Sequence, residues 1–131
     1  MAHGCVLRDC LCLQYYRCAS SKFSHKGAIS GPYSVPSSDD GLYSALHNHG
    51  PISVALDATV LQHYHSGVVS SGGSRPNHAV LLVGMESRNN AWIIKNSWDK
   101  NWGENGYFRL KRKGGSGTLG VNTEATYATA H

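Results

Sequence analysis

Two apolar runs, residues 79–84 (AVLLVG) and 91–95 (AWIIK), are separated by the polar stretch Glu86, Ser87, Arg88, Asn89 and Asn90. Each run is too short for a stable helix and rich in strand-forming side chains, and the link has turn chemistry. Together they predict an antiparallel β-hairpin. The hairpin commits the chain to a sheet and decides what stands at its open end. His78 lies immediately before the first strand and Asn96 immediately after the second. In an antiparallel pair those two positions are neighbours in space.

The remaining segments read as short elements around this hairpin. A β-type run covers about 28–35. A helix starts at Asp39 or Asp40, shares Leu42, Ala45 and Leu46 on one face, and stops within 48–51. Residues 51–57 read as a strand in which Ile52, Val54 and Leu56 alternate. Residues 58–64 give one helical turn, and 67–69 resume extended structure. Turns fall at 72–77 and 103–106, a strand at 107–111, a flexible glycine-rich stretch at 114–117 and a final extended segment at 119–128. The expected architecture is an α+β domain, an antiparallel β-sheet or barrel with one main helix. Residues 1–17 have no periodicity and read as an irregular lead, which leaves 18–131 as the domain.

At 131 residues, with 40% hydrophobic and 15% charged side chains, the chain suffices for one domain with a core and is not of disordered composition. The net charge of +4 is scattered apart from Lys111, Arg112 and Lys113. A run of that kind reads as a solvated strand end, so no nucleic acid partner is expected. No apolar run approaches the roughly 20 residues of a membrane span, so no membrane association is expected. Arg8 and Asp9 interrupt the only apolar stretch at the N-terminus, which does not read as a signal peptide. The pairs Cys10 and Cys12, His47 and His49, and His63 and His65 lack the spacing of a zinc ribbon or finger, so no metal site is expected.

A His78–Asn96 contact has a clear chemical use. An amide oxygen that accepts a hydrogen bond from one imidazole nitrogen fixes the ring and points the other nitrogen at a nucleophile. Trp98, two residues on, can cover that bond and exclude water from it. The same residues also fit a hairpin packed with aromatics that performs no catalysis.

Residues 77–84 and 91–108 resemble the histidine and asparagine regions of the papain family of cysteine peptidases. The pattern Lys95-Asn96-Ser97-Trp98, then Trp102-Gly103-Glu104-Asn105-Gly106-Tyr107, is highly specific. Residues 50–58 (GPISVALDA) resemble a wall of that family's substrate pocket, and 119–127 its closing strand. The resemblance runs from about Cys18 to the C-terminus. It implies His78 as general base and acid, Asn96 as its orienting partner and Trp98 as the shield. Trp102 would line the leaving-group side, and Ala55, Ala79 and Glu124, with Asn77, would contribute to substrate binding. The acidic Glu124 would let the pocket accept Arg or Lys as well as apolar side chains. A peptide or protein substrate is implied, with no cofactor, in a lysosomal or secreted setting.

The sequence departs from that family in one decisive way. The nucleophile belongs to a Cys-Gly-Ser-Cys-Trp-like segment roughly 130–150 residues before the histidine. All four cysteines here, Cys5, Cys10, Cys12 and Cys18, precede His78 by far less, and none is followed by Trp. Cys18 falls where the family has a structural half-cystine. The expectation is a C-terminal half that supplies His and Asn but not Cys, inactive alone, with a second chain as the candidate source of the nucleophile-bearing domain. An inactive peptide-binding or regulatory module is the alternative. Leu119 stands where relatives usually have a cysteine, and no cysteine lies near Gly72 to pair with one, so apolar packing is expected in place of that disulfide.

Overall fold

A computed structural model of the chain describes residues 27–130. The expected lead, its boundary at 17/18 and the four cysteines lie outside the described residues. The described residues divide between two compact units, one of Pro32–Tyr127 and one to which 27–31 and 128–130 belong. All the candidate site residues lie in Pro32–Tyr127.

The element order is β1 (Ile29–Ser34), α1 (Asp39–His49), β2 (Ile52–Leu56), a 3-10 turn (Thr59–His63), β3 (Val68–Val69), β4 (His78–Glu86), β5 (Ala91–Lys95), β6 (Tyr107–Lys111), a second 3-10 turn (Thr118–Gly120) and β7 (Ala125–Ala130). The helix starts where the chain offers a cap. Ser38 Oγ accepts the Gly41 N–H at 2.9 Å, and Asp39 and Asp40 place negative charge in the first turn. It ends at Gly50, whose φ of 82° suits glycine and whose N–H donates to the Leu46 carbonyl. Its buried residues are Leu42 and Ala45, and it packs on β2 and β4.

The strands form one sheet in the order β1-β7-β2-β4-β5-β6-β3. The α+β architecture with one main helix is as expected. Of the two expected forms, sheet or barrel, an open sheet forms. It is mixed, because β3 runs parallel to β6 while the β2–β4, β2–β7, β4–β5 and β5–β6 pairs are antiparallel. Alternation buries Ile52, Val54 and Leu56 of β2, Val80 and Leu82 of β4, Trp92 and Ile94 of β5, and Phe108 and Leu110 of β6 in one core. No helix among the described residues is long and apolar enough to cross a membrane.

One segment differs from expectation. Residues 119–128 were expected to be extended throughout, but the strand begins only at Ala125. Before it, Leu119 and Gly120 both take positive φ, 57° and 74°. Local hydrogen bonds outweigh strand pairing here. Thr118 Oγ1 donates to the Lys111 carbonyl, and Asn122 Nδ2 donates to the carbonyls of Lys113 and Gly115. The turn drives the Leu119 side chain into the core against Gly72, where an added Cβ would collide with Leu119 Cδ2. The two cysteine-free positions are thus packed together by an apolar side chain.

A charge network ties three elements on the sheet surface. Arg109 on β6 makes a two-pronged contact with Glu104, at 3.0 and 2.8 Å, and reaches Glu86 on β4 at 2.9 Å. Hydrogen bonds from Arg109 hold both carboxyls below their ordinary value, and the same bonds raise the guanidinium. A carboxyl whose pKa is lower folded than unfolded adds stability above its unfolded value, and that stability is lost as pH falls through the folded one. Arg109→Met is therefore expected to lower stability at neutral pH, with the deficit shrinking once pH drops below the ordinary value of 4.5. Urea denaturation of both proteins across a pH series measures this.

Candidate active site

His78 is the first residue of β4, paired with Leu56 at the end of β2. Asn96 is the first residue beyond β5. The register Leu82↔Ile94 and Leu81↔Lys95 carries on to set Asn96 beside Val80, two residues from His78 and on the same face of β4. That phase depends on an irregularity. Nearer the turn the pairs are Gly84↔Ile93, Met85↔Trp92 and Glu86↔Ala91, so Val83 is the extra residue of a β-bulge. Without that step, the turn-side register would put Asn96 opposite Leu81 and leave His78 on the other face. A plain hairpin was the sequence expectation. The bulge had no local signal beyond Gly84 inside the apolar run.

His78 Nε2 and Asn96 Oδ1 lie 2.8 Å apart. The same Oδ1 accepts the Ser97 backbone N–H at 2.8 Å. A backbone N–H can only donate, so the amide atom at that place is oxygen, and Nε2 must carry the proton it shares with Oδ1. The neutral ring then has its lone pair on Nδ1. Asn96 is only 9% exposed, and its Nδ2 is buried with no partner among the described residues. Sequence reading found the histidine and asparagine but not the Ser97 N–H, which selects the tautomer.

The Trp98 ring stacks over His78 with centroids 5.0 Å apart and planes 28° apart. Trp102 meets Trp98 edge-on at 5.3 Å and packs on Tyr64 and Phe108. Its Nε1–H donates to the Leu61 carbonyl at 3.1 Å. The imidazole thus backs onto a wall of aromatic rings anchored in the core.

The other candidate residues are placed by alternation along β2 and β4. Ala79 follows His78 and takes the opposite face, where it pairs with Ala55. The two alanines and Glu124 line one groove of about 440 Å³, together with Ser53, Thr126 and neighbours from 34–37. The Ala55 N–H donates to the Glu124 carbonyl at 3.0 Å, which fixes the groove's far wall. A smaller groove of about 310 Å³ adjoins it along Ala79, Leu81, Lys95, Asn96 and Ser97. Asn77 sits apart from the groove. Its Oδ1 accepts the Ala58 N–H and its own N–H donates to Leu56, so its side chain braces the end of β2. Among the described residues no cluster of three or more His, Cys, Asp or Glu could hold a metal ion.

The tautomer is directly measurable. Nitrogen-15 spectra of the chain with its imidazoles neutral are expected to show His78 protonated at Nε2. Asn96→Leu removes the acceptor and is expected to mix the two tautomers.

The model of the family described as "Papain family cysteine protease" matches residues 10–129. Cysteine proteinase COT44 of Brassica napus is 40% identical over 113 residues, covering 81% of this chain and 34% of that protein. Cathepsin F of Mus musculus is 39% identical over 123 residues, 87% of this chain and 26% of that protein. The chain thus spans between about a quarter and a third of the length of these relatives. Among solved structures, the bromelain protease of Ananas comosus, bound to the E64 inhibitor, superposes with a TM-score of 0.78 at 34% identity. That likeness covers 88% of this chain and 57% of that one. With the His–Asn hairpin, the aromatic wall and this family match in place, the chain belongs to the papain family of cysteine proteases.

Proposed function

We propose that this chain supplies the His–Asn part of a peptidase site that hydrolyses peptide bonds by a Cys-His-Asn mechanism. The observation that carries the reading is the Nε2–H···Oδ1 bond under Trp98, which leaves His78 Nδ1 as the free base. In that scheme Nδ1 takes the proton of a cysteine thiol. The thiolate attacks the scissile carbonyl, the C–N bond breaks, and His78 returns the proton to the departing amine. His78 then draws a proton from water, which hydrolyses the thioester and frees the thiol. Asn96 holds the ring through each transfer, and Trp98 keeps water from its hydrogen bond. Trp102 lines the leaving-group side.

Residues 27–130 contain no cysteine, so the thiol has to come from elsewhere. The four cysteines at positions 5–18 do not carry the family's Cys-Trp pattern. The reading therefore assigns the nucleophile to a first domain outside this sequence, with a second chain as its candidate source. It gives the chain alone little or no peptidase activity. By family likeness it works in a lysosomal or secreted setting.

Adding a polypeptide that carries the family's nucleophile-bearing domain is expected to yield cleavage of peptide substrates, lost by roughly 10²–10⁴-fold in His78→Ala. Peptide binding with no cleavage would mean instead a non-catalytic peptide-binding module that keeps the groove. An adduct on Cys5, Cys10, Cys12 or Cys18 after incubation of the chain alone with an active-site epoxide, read by intact mass, would overturn the assignment of the nucleophile.

The groove of Ala55, Ala79 and Glu124 is taken as the pocket for the second residue before the scissile bond. The two alanines leave it roomy, and the exposed Glu124 carboxylate suits the guanidinium or ammonium of an Arg or Lys side chain. In the reconstituted enzyme, Glu124→Ala is expected to lose cleavage of Arg-containing substrates while retaining Phe-containing ones. Equal loss for both would overturn this assignment.

A further inference from the structure

The loop between β5 and β6 carries Trp98, which stacks on His78, and Trp102 behind it, yet it has little regular pairing to hold it. Four of its residues, Asp99, Gly103, Asn105 and Gly106, have positive φ, between 56° and 90°. Its internal hydrogen bonds, such as Gly106 N–H to Trp102 O at 2.7 Å, fix its shape but not its position against the rest of the protein. Position comes from the segment 59–67. Leu61 accepts the Trp102 indole N–H, and the Tyr64 ring packs on Trp102.

That segment is in turn held from the loop. The Tyr64 hydroxyl donates to the Gly67 carbonyl at 2.6 Å, and the Gly67 N–H donates to Glu104 Oε1 at 3.0 Å. Glu104 is two residues beyond Trp102. The Arg109 fork holds its carboxylate on β6, and Glu86 on β4 holds the far side of that guanidinium. The loop and the segment are therefore joined twice, through Trp102 to Leu61 and through Glu104 to Gly67, and the second joint rests on the sheet.

Resting on the peptidase reading above, we propose that Glu104 is a positioning residue for His78. Its carboxylate clamps Gly67 and so presses the Trp102–Trp98 wall against the imidazole. Glu104 touches neither His78 nor a substrate in this arrangement. It acts by denying the wall room to swing away, which keeps solvent off the Nε2–H···Oδ1 bond. A charge-assisted bond to a backbone N–H is of the strength needed to hold a loop that lacks a ladder of its own.

The test is the exchange of the His78 Nε2 proton with solvent, read by NMR in the full chain under conditions where it is folded. Glu104→Ala is expected to speed this exchange by roughly tenfold or more, the worth of one charge-assisted hydrogen bond. Glu104→Gln keeps an oxygen for Gly67 and is expected to fall between, which also covers the case in which Glu104→Ala fails to fold. Arg109→Met removes the fork that holds Glu104 and is expected to lower stability and to speed exchange by less than Glu104→Ala, because the carboxylate can still accept the Gly67 N–H. Exchange in Glu104→Gln equal to that of the unaltered chain would overturn the proposal and leave the peptidase reading standing. Arg109→Met speeding exchange as much as Glu104→Ala or Glu104→Gln would overturn it too, because general loosening would then suffice. A His78 proton unprotected in the unaltered chain would remove the hydrogen bond on which the peptidase reading and the clamp both rest.

Discussion

β4 pairs with β2 over residues 78–82 and with β5 over residues 81–86, and both faces of that strand are in use. One face, Val80 and Leu82, is buried in the core and carries His78 at its end. The other, Ala79 and Leu81, lines the two grooves. A single residue's slip along either ladder would exchange the two faces and put the imidazole where the groove now is. The phase of β4 therefore couples core packing to site geometry. Burying Val80 and Leu82 is what presents His78 to Asn96 and Ala79 to the groove.

The hairpin, the helix from Asp39, β2, β6 and the His78–Asn96 contact were legible because each rests on short-range pattern. Alternation of Ile52, Val54 and Leu56, or Leu42, Ala45 and Leu46 on one helical face, needs no distant partner to be recognised. What stayed hidden depends on partners far along the chain. The extended run at 67–69 was readable, but its pairing was not: β3, Val68 and Val69, lies parallel to β6. The bulge at Val83 follows from matching two ladders at once, which neither apolar run encodes alone. The turn at Leu119 looked extended because leucine rarely takes a positive φ. Its burial against Gly72 and the hydrogen bonds of Thr118 and Asn122 make that conformation worthwhile.

The motif residues divide by function in a way the sequence pattern does not reveal. In the run from Asn96 to Tyr107, Asn96 meets the imidazole directly, Trp98 and Trp102 form the wall behind it, and Glu104 joins the loop to Gly67 and Arg109. The glycines at 103 and 106 serve the turns. At Gly103, with φ of 59°, an added Cβ would crowd the Tyr107 carbonyl and the Tyr64 ring. A family signature of this density thus mixes chemistry, support and backbone conformation. Asn77, grouped with the substrate contacts on resemblance, also has its side-chain oxygen engaged by the Ala58 N–H.

The packing of Leu119 onto Gly72 bears on how such a protein can be handled. A thiol nucleophile works only while reduced, and the reductants that keep it so also attack exposed crosslinks. Residues 27–130 contain no sulfur–sulfur bond to lose, since they contain no cysteine. Across these residues, the redox potential that keeps a catalytic thiol alive leaves the architecture around His78 untouched. Within residues 27–130, the packing of Leu119 on Gly72 is therefore indifferent to the reducing conditions that a thiol nucleophile requires.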